Sequence, residues 1–389
     1  MNILTINFYA GSSKHGMEYR PYYLSKEWVK MGHKVGIVAS SFAHTRKINP
    51  EVKETLTHEQ IEGINYYWLK TLEYKKINLK RFVSFVIFLY RLNKNAEYFA
   101  NEFKPEVVIA SSTYPMDIYF AHKIAKLSKA KLVYEVHDLL PLTLTTVHDY
   151  SKFHPFIVWM QHAENYCYKY CHKVISILPK TLEHMKEHGL DEKKWAFVPN
   201  GVDIGEWDDP IPIPKEHKEK FEKLRNKGKF IVGYAGYHGV QNSLIILLKT
   251  AEQLKGKNIE FVLVGQGPEK DNLIQKTKEL KLENVHFLPT IEKKSIPNFH
   301  KEADILFMTV PDSPLYKYGV GSNKLFDYMM SAKPVVQVQT AGNDIVADAN
   351  CGISVPVNDY IGAAEAILKL RDMTTEQRNT LGQNGRKYI

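Results

Sequence analysis

The sequence predicts an α/β chain built as two doubly wound, Rossmann-like domains. Three observations carry this expectation. Apolar strands alternate with longer amphipathic stretches through the first half, as in repeated βαβ units. The alternation begins again in the second half. Between the halves lies Ile204–Lys229, a densely charged stretch with three prolines, which reads as a linker carrying a solvated helix. A chain of 389 residues is long for one ordinary core and suits two. The expected division is 1–203, a linker at 204–228, and 229–389.

In order, the expected strands of the first half are Asn2–Phe8, Val35–Ala39, Val107–Ala110, Lys131–Val136 and Val174–Ile177. Each is a short run rich in β-branched and aromatic residues. Tyr19–Met31 and Met116–Leu127 between them carry the helical period. The second half offers Phe230–Ala235, Ile259–Val264, Val285–Leu288, Ile305–Met308 and Val335–Val338, with an apolar helix at Leu244–Leu254. Two such domains are expected to face each other, with ligands beyond the carboxyl ends of the strands.

Composition narrows the function classes. Hydrophobic content is 44% and charged content 24%, ordinary for a globular chain. The formal charge of +9 fits phosphorylated ligands, an anionic membrane face or nucleic acid. Zinc-finger spacing, RNP-like motifs and arginine-rich arms are all absent, so nucleic acid is not expected. Three cysteines, Cys167, Cys171 and Cys351, make no disulfide framework, and a reducing cytoplasm is the expected setting. The N-terminus reads as a strand and turn rather than a signal peptide. No apolar run reaches the length of a spanning helix.

Tyr318–Pro334, YGVGSNKLFDYMMSAKP, carries the most chemistry. It reads as a glycine-lined loop, a helix, and a small-residue stop before a strand. Ser322 or Asn323 can cap the helix, with Lys324 and Asp327 near its start. A helix start offers free N–H groups and partial positive charge to an anion. Asp327, one turn in, can accept hydrogen bonds from sugar hydroxyls. A phosphate beside a sugar is what a nucleotide sugar presents. The Gly236–Leu244 turn opens another helix after a strand and can approach a diphosphate. Gly265-Gln266-Gly267 reads as a packing turn. In the first half, Gly11–Arg20 is a long βα loop bearing Gly16, and His137 follows a strand end. The chain holds no Asp-x-Asp pair, so no metal is expected on the phosphates.

Together these stretches resemble the family-4 retaining glycosyltransferases of GT-B fold. The likeness is strongest to bacterial enzymes of O-antigen and capsule assembly. Its carriers are GMEYRPYYLSKEWVKMGHKV, EVHDLLP, PNGVD, GYAGYHG, VGQGP and NKLFDYMMSAKPVV. The resemblance implies transfer of a sugar, an N-acetylated amino sugar, from a UDP-sugar with retention at the anomeric carbon. It makes His137 a cleft residue at the donor sugar and Asp327 the ribose ligand, the second acid of the family's Glu-x7-Glu motif. The first acidic position falls on Gly319. Tyr237 and Asn242 stand where many members carry a basic pair for the diphosphate. Lys324 and the helix start at Ser322, Asn323 and Leu325 are the expected replacements. Gly16 and Gly236 are expected beside the diphosphate.

The implied acceptor is a polyprenyl-diphosphate-linked sugar or an oligosaccharide. Lys75–Arg91 pairs clustered basic residues with an apolar run and can lie on an anionic membrane, or pack on the sheet. Two rivals share the architecture: the UDP-sugar 2-epimerases, and a non-catalytic nucleotide-sugar-binding protein.

Overall fold

The computed structural model describes residues 1–74 and 79–389. The chain divides into Met1–Pro199 and Asn200–Ile389. Residues 204–228, read as a linker, fall in the second unit. Their Lys215–Arg225 helix buries Phe221 and Leu224 against Ile231 and Val262.

Among the described residues the first unit holds strands β1 (Asn2–Ile6), β2 (Lys34–Ser40), β3 (Leu56–Ile61), β4 (Ile64–Leu69), β5 (Val107–Ala110), β6 (Lys131–Val136), β7 (Lys173–Ser176) and β8 (Trp195–Phe197). Their order is β3-β4-β2-β1-β5-β6-β7-β8. The ladders are parallel except β3 with β4, a hairpin turning at Glu62-Gly63. β1 and β2 are buried almost throughout, as strands covered on both faces must be. Chain order reverses between β1 and β5, the place where open α/β sheets bind ligands.

The second unit holds β9 (Phe230–Ala235), β10 (Ile259–Val264), β11 (Val285–Leu288), β12 (Ile305–Thr309), β13 (Val335–Val338) and β14 (Gly352–Val355). Their order is β11-β10-β9-β12-β13-β14, all parallel, with the reversal between β9 and β12. β9 and β10 carry no exposed residue. Helix Ile245–Gln253 covers one face through Leu247, Leu248 and Ala251. Helix Asn323–Met330 packs Leu325, Tyr328 and Met329 among Leu306, Met308 and Val335.

The hairpin β3–β4 and the edge strands β8 and β14 were not expected from sequence. Among the described residues no helix is long and apolar enough to cross a membrane. All three cysteines are free and buried.

Candidate functional site

In the second unit the site is built on the end of β9 and the start of helix Asn323–Met330. The backbone N–H of Ala235 donates to the Tyr328 hydroxyl at 3.3 Å, which ties the helix to the strand end. Lys324, one turn earlier, therefore lies over Tyr234. Its Nζ donates to Tyr234 Oη at 2.8 Å and to Asn242 Oδ1 at 2.6 Å, and stands 4.4 Å from the Tyr234 ring centroid. No carboxylate pairs with it among the described residues. Burial pushes the Lys324 amine down to about 7. A diphosphate would supply the missing negative charge and draw the amine back to its charged form.

The glycine positions around this amine have steric reasons. A Cβ on Gly236 would come 2.7 Å from Lys324 Cε. A Cβ on Gly265 would meet the Gly236 carbonyl oxygen at 1.8 Å. Gly265-Gln266-Gly267 is thus the floor under the Gly236 loop. The floor is bonded to it by Gly236 N–H to Val264 O at 2.9 Å and His238 N–H to Gln266 O at 3.0 Å. Tyr237 points outward, and its carbonyl accepts from Tyr234 Oη and Asn242 Nδ2.

Ser322 takes the N-cap position of helix Asn323–Met330, but its side chain caps nothing. Asn323 is exposed. Leu325 buries its side chain and turns its N–H back to Ser322 O, so neither faces a ligand. The open donors of the helix start are therefore those of its first two residues. Asp327 lines a pocket of about 70 Å³ with Trp207, Lys293, Ile296 and Pro297. Burial pushes its carboxyl up to about 6, against Lys293 and with Glu206, which are themselves paired at 2.6 Å. At neutral pH it is still an acceptor for hydroxyls.

Gly319 has φ +111°, a conformation that side chains avoid. The loop is pinned there by Gly319 N–H to Tyr316 O at 2.9 Å and by Asn343, which bonds both the N–H and the C=O of Val320. A glutamate cannot enter this backbone without strain, so the departure at 319 belongs to the whole loop.

In the first unit His137 follows β6 and sits in a chain of hydrogen bonds. Its Nε2 is 2.9 Å from Ser111 Oγ and 3.3 Å from Glu135 Oε2. Ser111 Oγ donates to Glu135 at 2.6 Å, and Arg20 donates to the other carboxylate oxygen at 3.0 Å. Burial lowers the pKa of His137, but Glu135 outweighs it and the net shift is upward. Glu135 is held down to about 2, its own burial overcome by His137, Arg20 and Ser111. Arg20 also donates to Val198 O and Pro199 O, so the PNGVD stretch begins on the same network. Gly16 closes a small flap, exchanging two backbone hydrogen bonds with Ser12 at 2.8 and 3.0 Å. His15 anchors the flap on Ile48 O and Glu59.

Sequence reasoning named Lys324 and Asn242 separately, and the structure brings them together. It missed Tyr234 as the platform beneath Lys324, because a tyrosine in a buried strand carries no sequence signal of its own. It quoted Arg20 and Glu135 without joining them.

This geometry stands beside clear family matches. Residues 15–206 match the model described as Glycosyltransferase Family 4, and residues 215–388 match Glycosyl transferases group 1. The protein is a GT-B glycosyltransferase. Within that class it belongs to family 4. A search of the curated proteins finds no match. Sucrose-phosphate synthase from Thermosynechococcus elongatus superposes with TM-score 0.70 at 16% identity, over 99% of this chain and 93% of that one. HepE of Anabaena, solved in complex with UDP, gives 0.68 at 16%, over 100% and 94%. WaaG, a glycosyltransferase involved in lipopolysaccharide biosynthesis, gives 0.67 at 14%, over 99% and 94%. At these identities the likeness shows the fold.

Proposed function

We propose that the protein transfers a sugar from a UDP-sugar, an N-acetylated amino sugar by its family likeness, to a lipid-linked or saccharide acceptor. One observation carries the reading. A lysine amine with no carboxylate partner among the described residues stands in the first turn of an uncapped helix, against a glycine loop at a strand end. Asp327, in its pocket one turn on, takes the ribose hydroxyls. HepE and a trehalose-6-phosphate structure from E. coli were solved with UDP or UDP-2-fluoro glucose, which supports UDP as the base.

The mechanism follows from what the site can do. As the sugar–phosphate bond breaks, negative charge grows on the β-phosphate. Lys324 and the helix-start N–H groups stabilise it, as oxyanion donors do. The leaving phosphate oxygen takes the acceptor hydroxyl's proton while that hydroxyl bonds to the anomeric carbon from the same face. The configuration is retained, and no metal is required. His137, whose charged form Glu135 favours, offers an N–H to a sugar hydroxyl. The basic surplus and an exposed apolar face on helix Leu79–Lys94 support work at the inner face of a membrane. Lys75 to Asn78, the start of the segment expected at the membrane, lie outside the described residues.

A thermal-shift screen of UDP, GDP and TDP sugars tests the donor, since ligand binding raises apparent stability by mass action. A shift with UDP-sugars supports the reading. Silence from all three bases refutes it. Product NMR tests the stereochemistry, and an inverted product contradicts it. Epimerised donor formed without acceptor would favour the epimerase instead.

A further inference from the structure

We propose that Arg81 and the aromatic rings beside it form the head-group site for a lipid-linked diphosphate acceptor. The inference rests on the acceptor class above and adds its location.

Arg81 lies in the first turn of helix Leu79–Lys94. Its Nε donates to Tyr9 Oη at 2.8 Å, and its guanidinium stands 5.6 Å from the Tyr9 ring centroid and 5.7 Å from that of Tyr114. Among the described residues no acid pairs with it, and its two terminal amino groups hold no hydrogen-bond partner. The planar guanidinium is thus held by rings, with its forked end open. Such a fork matches phosphate oxygens. Tyr9 follows β1 and Tyr114 follows β5, so the group stands where chain order reverses in this sheet.

An apolar path leads away from the charge. The Tyr114 ring contacts Phe156 at 5.8 Å, and Phe156 contacts Phe82 at 5.4 Å. Phe82 is the inner edge of an exposed stripe on the same helix, continued by Leu79, Val83 and Val86. Phe153, 90% exposed, lies three residues before Phe156. A half-buried cation at one end and exposed hydrocarbon at the other fit an amphiphile with an anionic head and an isoprenoid tail. Lys80 and Lys152, next to Arg81 and Phe153 in the sequence, add charge of the matching sign. A soluble anion would use the arginine alone and leave the stripe unexplained.

The test is calorimetric titration of farnesyl diphosphate, farnesol and inorganic pyrophosphate into the whole chain. Farnesyl diphosphate is expected to bind more tightly than either fragment. Arg81→Gln is expected to weaken it at least about ten-fold, the scale of a charged hydrogen bond. Phe82→Ser with Val86→Ser is expected to weaken farnesyl diphosphate and leave pyrophosphate unchanged. The UDP-induced thermal shift, read in the same proteins, reports folding. Undiminished farnesyl diphosphate binding in Arg81→Gln overturns the proposal. So does pyrophosphate binding as tightly as farnesyl diphosphate, or loss of the UDP shift along with the lipid in Arg81→Gln. A wild-type chain that binds farnesyl diphosphate but not UDP supports this site and refutes the donor reading.

Discussion

Burial pushes the Lys324 amine down to about 7, near the middle of its titration at neutral pH. The free protein loses the proton as pH rises above neutrality. A bound diphosphate pulls the pKa back up. UDP affinity is therefore expected to fall between pH 6 and 9, with uptake of nearly one proton on binding at pH 8. Calorimetry in buffers of different ionisation enthalpy reads that uptake, and an affinity flat across the range would contradict it. Lys324→Ala is expected to lower turnover on the order of 10²-fold. Its melting temperature should hold, because a buried cation is removed. Arg20 poses a different question, since it pairs with a carboxylate that is only 4% exposed. Arg20→Ala is expected to cost about 3 kcal/mol of unfolding free energy, the scale for breaking a buried pair. Glu135 is held down to about 2, below its unfolded value. Its contribution is thus present at neutral pH and is lost as pH falls towards 2. Denaturant melts at pH 7 and pH 3 check both statements.

At the scale of elements, the Gly265 turn supports the Gly236 loop. Gly265→Ala forces a Cβ onto the Gly236 carbonyl and must shift the loop that carries Asn242 and faces Lys324. Loss of UDP binding by at least about ten-fold, with the sheet intact by circular dichroism, is the expected outcome. Retained affinity would show that the floor is dispensable. The same elements show how much was legible beforehand. β5, β6, β9, β10, β11 and β13 were read to the residue, because buried parallel strands are continuous apolar runs closed by turns. β3, LTHEQI, was missed because only Ile61 is fully buried and it mixes charge with apolar positions. The Glu62-Gly63 turn was the available signal for that hairpin. The place of Lys324 and Asp327 on the helix after the glycine loop was legible from the cap and the apolar spacing. Leu325 was not, since only packing shows that its side chain enters the core and its N–H closes on Ser322. Gly319 was legible as a departure, but its cause, the loop pinned by Asn343, lies 24 residues away in sequence.

For the molecule as a whole, two parallel-sheet units divide at Pro199, and each places its polar loops where strand order reverses. The second unit carries Lys324, Asp327 and the glycine turns, while the first carries the His137 network and the Arg81 group. The central claim is that the second unit holds a nucleoside diphosphate through a lysine and a helix start, with no metal. The most direct measurement is calorimetric titration of UDP in excess EDTA, into the wild type and into Lys324→Ala. The account predicts binding without metal in the wild type, weakened at least about ten-fold in the variant. An absolute requirement for Mg²⁺, or equal affinity in the two proteins, would contradict it.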